Sequence, residues 1–356
     1  MKDLSLEFPA LSKQTYLNNA STGLLSTSLA QWRQEHERDF LMNGANYAER
    51  KNIIEETRGN VARTMGAYEH ETALIPNFSY GINMVWEGVS KGQKVLLLKD
   101  DYPSVRWPVE TGDFDVCYAA IDTNLEDNIQ QAVEQHRPDI FIFSIVQWLS
   151  GVKIDLEFIK QLKAYHPNML IIADATQYVG TEPFDFRTSG IDILGASAYK
   201  WLMAGFGSGF LLVKEETQDK VFPSVIGFNS AKGFDSPASE TQFNKRFEPG
   251  HQDTLNFGSL NQAMLKIEEL GLDFISEKIN GVAAEAKQQF IARGILNEMT
   301  AQRSHHSSIF NITGDQELYK KLSNEHIICS PRGGGIRVSF HYYNTQDDLK
   351  KLLAFL

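Results

Sequence analysis

Cysteine is nearly absent from this chain: Cys117 and Cys329 are the only two in 356 residues. Two thiols cannot build a disulfide framework or a four-thiolate metal site, so no metal is expected and a reducing cytosol is the expected setting. An excess of positive charge is missing too. Asp and Glu number 45 against 34 Lys and Arg, a formal net charge of −11. That balance repels nucleic acid and anionic membranes, although an anionic small molecule can still bind in a local pocket. No apolar run approaches the length of a membrane span, and MKDLSLEFPALSKQTYLNNAS lacks the basic-then-apolar layout of a signal peptide. There is no internal repeat and no low-complexity tract. What remains, 42% apolar and 22% charged residues, is ordinary for a soluble globular protein. The length suggests two domains, or one large domain with an appendage.

Residues 1–25 read as irregular. A helical pattern follows to about Arg50, and another runs from Lys51 to Met65. From Glu71 the chain alternates. ETALIPN, KVLLLKD, DFDVCYAAID, PDIFIFSIVQ, NMLIIADAT, IDILGASA and GSGFLLV read as strands. SYGINMVWEGVS, NLEDNIQQAVEQH and LEFIKQLKAYH read as helices between them. Short, nearly continuous apolar runs separated by helices are the pattern of a parallel sheet buried on both faces. The expected class is therefore α/β, doubly wound and mainly parallel, with ligands outside the carboxyl ends of the strands. Residues 218–258 are loop-rich, with Pro223, Gly227, Gly233, Pro237, Pro249 and Gly250. A helical stretch from Leu260 to about Arg293 and a mixed C-terminal part then form a smaller α+β unit. The expected division is 16–258 for the large domain and 1–15 plus 259–356 for the small one.

The residues just after the strands carry the chemistry. Phe78-Ser79-Tyr80-Gly81 opens a helix, where free N–H groups and the Ser79 hydroxyl suit a phosphate; a plain serine cap explains the same pattern. Tyr102 could stack on a planar ring or simply pack on the core. Asp174 ends a buried apolar strand, where a carboxylate needs a partner such as a cationic ring nitrogen; it could equally cap a helix. Gln177, three residues on, could meet a ring oxygen of the same ligand. Ser197 and Tyr199 could both reach a phosphate, and Lys200 beside them becomes nucleophilic when burial or a nearby cation lowers its pKa. Each signal alone is weak. Their order along one sheet matches the parts of a pyridoxal-phosphate site, with Lys200 as the amine that carries the cofactor as a Schiff base.

At these residues the chain resembles the class V aminotransferases, among the fold-type I pyridoxal-phosphate enzymes, from about Tyr16 to the C-terminus. YLNNAST resembles the family's YLDNAAT-type motif, FSYGIN its phosphate-helix motif, and DYPS its EYPS turn, with Tyr102 stacking on the cofactor. DATQ resembles DxxQ, which implies Asp174 on the pyridine nitrogen and Gln177 on the ring hydroxyl. SAYK resembles SxHK or SxYK, with the Schiff-base lysine last. RFEPGHQDTLNF resembles FExGTxN, whose threonine reaches the phosphate across a dimer interface; His251 or Thr254 takes that role here. IRVSFHYYNT resembles IRxSxxxYNT, which puts Arg337 on the substrate carboxylate. Asn19 and Trp148 are further substrate-side candidates, and Arg332 is another arginine for the same pocket.

The resemblance implies a homodimer acting on an amino acid or small amine, most directly an aminotransferase. Desulfurases of the family carry a nucleophilic cysteine on a mobile loop and histidines where this chain has Tyr102 and Tyr199. Cys329 lies inside the apolar run HIIC and reads as core, as does Cys117. A lyase or epimerase of the same cofactor is the alternative, and a cofactor-free ligand-binding protein a more distant one. Side-chain specificity is expected from loops 24–50 and 222–245.

Overall fold

The computed structural model describes residues 4–44, 46–231 and 240–356; Gly233 and Pro237 of the loop-rich stretch lie outside them. The strands of the chain are β1 (Thr15–Tyr16), β2 (Thr72–Ile75), β3 (Lys94–Leu98), β4 (Asp115–Ala119), β5 (Ile140–Ser144), β6 (Leu170–Asp174), β7 (Ile193–Ser197) and β8 (Gly209–Val213). They continue with β9 (Ile309–Ile312), β10 (Ile327–Ile328), β11 (Ser330–Arg332) and β12 (Gly335–Ser339). Among the described residues the main sheet has seven strands in the order β2-β8-β7-β6-β5-β3-β4.

The apolar runs became strands because both faces of the sheet are covered. Along β5, Phe141 and Phe143 pack into the core on one face while Ile140 and Ile142 pack into the core on the other. Continuous apolar strands are what a doubly covered sheet requires. β3 to β7 pair in parallel, whereas β8 runs antiparallel to both β7 and β2. The reason lies in the connection 198–208, which is too short and too irregular for the helical crossover that a parallel neighbour needs. The carboxyl ends of β2, β3, β5, β6 and β7 therefore share one edge, and the amino end of β8 joins them there.

Three local expectations are corrected. The first helical pattern stops at Asn43, not Arg50: the helices are Thr27–Asn43 and Tyr47–Met65, capped by Ser26 and Asn46, and Gly44 leaves the helical path at φ 68°. The stretch after Leu260 is two helices, Thr254–Leu270 and Leu272–Ala292, broken at Gly271 with φ 81°. Residues 1–25 are not wholly irregular, since they contain the helix Leu4–Glu7, the 3-10 turn Pro9–Ser12 and β1.

The second sheet is small. β11, β12 and β9 are antiparallel, in that order, and β1 pairs in parallel with β10. Beyond β1 the chain at Asn18 bridges to Ser339 at the end of β12, so the N-terminal segment is pinned to the last strand.

The loop-rich segment is tied to the main sheet through one buried ion pair. Arg58 donates to both carboxylate oxygens of Glu248, at 2.6 and 2.8 Å, and Glu248 also accepts from the Leu74 amide of β2 at 2.8 Å. Both side chains are buried. Glu248→Ala removes the buried bidentate partner of the guanidinium and leaves it only the more exposed Glu55 at 3.8 Å, which should cost about 3–5 kcal/mol. The check is the urea unfolding midpoint; a loss within ~1 kcal/mol would mean that Arg58 finds another acceptor.

Candidate active site

The shared edge of the sheet opens into a cavity of about 390 Å³, lined among others by Phe78, Ser79, Tyr102, Trp148, Asp174, Gln177, Ser197, Tyr199 and Lys200. Nine residues singled out in the sequence thus meet in one place, brought there by the carboxyl ends of β2, β3, β5, β6 and β7.

Lys200 is buried at the cavity wall, with Nζ 5.6 Å from the Tyr102 ring centre and 5.7 Å from that of Tyr199. Burial lowers its pKa below the usual lysine range, Asp174 works against that, and the Arg337 and Arg332 charges add to the lowering. Its backbone is held from behind. Asn19 donates from Nδ2 to the Lys200 carbonyl at 3.3 Å, and the Gly23 amide donates to the Tyr199 carbonyl at 2.8 Å. Position 23 must be glycine, because a Cβ there would sit 2.2 Å from the Lys200 carbonyl oxygen.

Asp174 is buried, and burial raises its pKa above the carboxylate range while hydrogen bonds from Thr176 and the charge of Lys200 oppose the rise. The Thr176 amide donates to Oδ1 at 2.8 Å. An acid so placed is disfavoured as an anion until a cation reaches it. Gln177 is fixed at both ends: Nε2 donates to the Ala20 carbonyl at 2.9 Å, and Oε1 accepts from Trp201 Nε1 at 2.7 Å. Trp201 is held in turn by His341, whose Nε2 lies 2.9 Å from the Trp201 carbonyl and whose ring packs on the indole. None of this brace was legible in the sequence.

The opposite end of the cavity is the first turn of the helix Phe78–Gly88. The Phe78 amide donates to Ser197 Oγ at 2.9 Å, and the Tyr80 amide is capped by Asn77 Oδ1. Ser197 accepts there, so its own proton is free to donate. The Ser79 hydroxyl pairs with Ser104 Oγ at 2.7 Å. A dipole end, a hydroxyl pair and the Ser197 proton make a site for a phosphate.

Aromatic rings form the walls. Trp148 meets Tyr102 edge to face at 5.7 Å, and Tyr199 stacks on Phe206 at 4.7 Å. The Tyr102 turn is pinned by Asp101, a buried carboxylate missed in the sequence. It accepts from the Tyr102 amide at 2.6 Å and from the Ser144 amide at 2.8 Å, joining the ends of β3 and β5.

Arg337, on β12, is 3% exposed. Nη1 donates to the Trp148 carbonyl and Nη2 to Ser21 Oγ, each at 2.6 Å, while Nε has no partner. No carboxylate among the described residues pairs with it, and burial pushes its pKa down to about 10. Ser144 Oγ and Trp148 Nε1, both of residues lining the cavity, are likewise buried without a partner. Buried polar atoms without partners mark places where a ligand completes the hydrogen bonding. A flat ligand with a cationic ring nitrogen toward Asp174, an oxygen toward Gln177 and a phosphate toward Ser79 and Ser197 fits this donor set.

Two expectations land elsewhere. His251 and Thr254 line a second cavity of about 770 Å³. There the Thr254 hydroxyl accepts from Arg50 Nη1 at 2.7 Å and lies 3.0 Å from His36 Nε2. Within one chain they do not join the Lys200 site. Asn19, expected on the substrate side, is not among the residues lining the cavity; it lies behind Lys200, with its Oδ1 accepting from the Tyr343 hydroxyl at 2.8 Å, whereas Gln177 does line the cavity.

Comparison with known proteins adds a family and a fold. The model of the family described as aminotransferase class-V matches residues 15–352. The uncharacterized aminotransferase YcbU of Bacillus subtilis is 25% identical, over 96% of this chain and 94% of that protein. A probable cysteine desulfurase of Methanothermobacter thermautotrophicus is 22% identical, over 99% and 96%. Among solved structures, the apo cysteine desulfurase of Thermococcus onnurineus superposes with a TM-score of 0.86 at 18% identity, over 99% of this chain and 96% of that one. A lysine-to-alanine variant of C-DES, with glycine covalently linked to its PLP cofactor, superposes with a TM-score of 0.87 at 18% identity, over 99% and 98%.

Proposed function

The chain belongs to the aminotransferase class-V family, and from that membership we propose that it is an aminotransferase acting on an amino acid or small amine. It is a pyridoxal 5'-phosphate-dependent enzyme. When bound, that cofactor supplies an electron sink for a bond at the substrate's α-carbon. The observation that carries the reading is that one cavity holds both the buried Lys200 amine and the buried Asp174 carboxylate.

The residues divide the work. Lys200, with its lowered pKa, holds the cofactor covalently and then takes and returns a substrate proton at Nζ. Asp174 holds a proton on the ring nitrogen, Gln177 meets the ring oxygen, and Tyr102 covers a ring face. Ser79, Ser197 and the Phe78 turn take the phosphate, and Tyr199 closes the wall beside Phe206. Arg337 binds and orients the substrate carboxylate, with Trp148 beside it excluding water. Asn19 braces the Lys200 backbone.

The thiols favour transfer of an amino group over desulfuration by a protein thiol. Cys329 is buried, with its pKa pushed up to about 11, and burial raises that of Cys117 as well. A nucleophilic cysteine needs exposure and the opposite shift. A homodimer belongs to the same proposal, with His251 or Thr254 of the second cavity facing the phosphate of the other protomer, and so does a cytosolic location. No helix among the described residues is long and apolar enough to cross a membrane.

The test is a single-turnover panel. Holoenzyme incubated with amino acids and no acceptor is expected to yield stoichiometric pyridoxamine phosphate and the matching oxo acid. Catalytic release of sulfide, alanine or racemised substrate would replace the aminotransferase by a lyase or an epimerase.

A further inference from the structure

One arginine has no place in this division of work. Arg332 ends β11 and pairs in register with Gly335 of β12, while Ser330 pairs with Arg337. Directly opposed residues point to the same face of a hairpin, and so do residues two apart on one strand. Arg332 and Arg337 therefore share a face as diagonal neighbours, a relation that spans about 7–8 Å. The face is the one turned to the site, since Ser330 on it bonds Ser21, the residue that holds Arg337.

The hairpin is built to present that residue. Its turn is Gly333-Gly334, at φ 58° and 76°, and Gly335 opposite Arg332 contributes no side chain. The turn lies against Leu149, whose Cδ atoms would be 3.1 and 3.2 Å from a Cβ at position 333, so it abuts the same loop whose Trp148 carbonyl receives Arg337. Arg332 itself is exposed and has no carboxylate partner among the described residues. Its charge nevertheless reaches all three neighbours: it adds to the lowering that burial gives Lys200 and Arg337, and it opposes the rise that burial gives Tyr199.

Two like charges held on one face, neither matched by an acid, need two anions. They stand at different depths: Arg337 is buried with one free edge, whereas Arg332 is exposed. A single carboxylate on the buried guanidinium leaves the outer one unmatched. We propose that Arg332 and Arg337 form a two-point anion clamp, and that the substrate is an acidic amino acid whose side-chain carboxylate meets Arg332. This rests on the reading of Arg337 as the α-carboxylate site and names the substrate class for it.

Unreactive acids test the clamp by equilibrium binding. In calorimetry on the holoenzyme, succinate or glutarate is expected to bind about tenfold more tightly than butyrate, the gain of one added charged contact. Arg332→Gln should reduce that preference to about threefold or less while leaving butyrate within about twofold of wild type, as loss of an exposed contact would. In the single-turnover panel, glutamate or aspartate should outrun glutamine or asparagine, and the variant should erase the difference. Dicarboxylates binding no better than butyrate to the wild type would overturn the clamp alone, as would an equal loss for both ligands in the variant. Failure of butyrate to bind at all would overturn the Arg337 assignment beneath it.

Discussion

Lys200→Ala is expected to abolish turnover, by at least about a thousandfold, because it removes both the covalent anchor and the group that moves the substrate proton. Falling rate alone would not identify the anchor. Borohydride treatment followed by denaturation does: wild-type chain should retain the reduced cofactor on the peptide that contains Lys200, and the variant should retain none. Arginine at the same position keeps a cation but not a nucleophile, so it should fail equally. A variant that still fixes cofactor to another lysine would remove Lys200 from its assigned role. Because the side chain faces a cavity, its loss should leave the fold intact, and circular dichroism and the unfolding midpoint should stay close to wild type.

Asp174→Asn should separate catalysis from stability in the opposite sense to a core mutation. The carboxylate is buried, its pKa is raised by desolvation, and Thr176 supplies its hydrogen bonds. In the apoprotein an amide of the same shape avoids the cost of burying that charge, so the apo melting temperature should hold or rise. With cofactor bound the charge is needed, and its loss should lower kcat by about a hundredfold to a thousandfold, as for removal of one preorganised electrostatic contact. Measured together, unchanged apo stability and collapsed kcat identify a group that serves the ligand. Equal losses in both would assign Asp174 to the scaffold.

The strands and the residues after them were legible because a doubly buried strand is a run of four or five apolar residues with a sharp polar end. Asp174 after LIIA and Lys200 after ILGASAY stand out on that ground. The antiparallel course of β8 was not read, since an apolar run has no direction; only the short connection before it sets one. Helix ends at Gly44 and Gly271 were missed because the flanking polar residues continue the helical pattern, and only the positive φ breaks it. The supports of the site were invisible for another reason. Ser21 on Arg337, Asn19 on the Lys200 carbonyl and Ala20 on Gln177 join residues 157 to 316 positions apart, and no local pattern encodes such pairs. Asn19 looked like a ligand residue because a polar residue in a motif gives its type but not the direction its amide faces.

Those same contacts fix the order in which the enzyme can come into being. The segment 16–23 is made long before its partners Lys200, Arg337 and Ser339, and the Ala20 amide waits 319 positions for the Ser339 hydroxyl. The main sheet can fold during synthesis, but the segment that braces Lys200 from behind is pinned only after Ser339 has emerged. Nascent chains stalled before Ser339 should therefore expose the Lys200 loop to protease while the sheet is already protected, and full-length chains should close it as one of the last steps of folding.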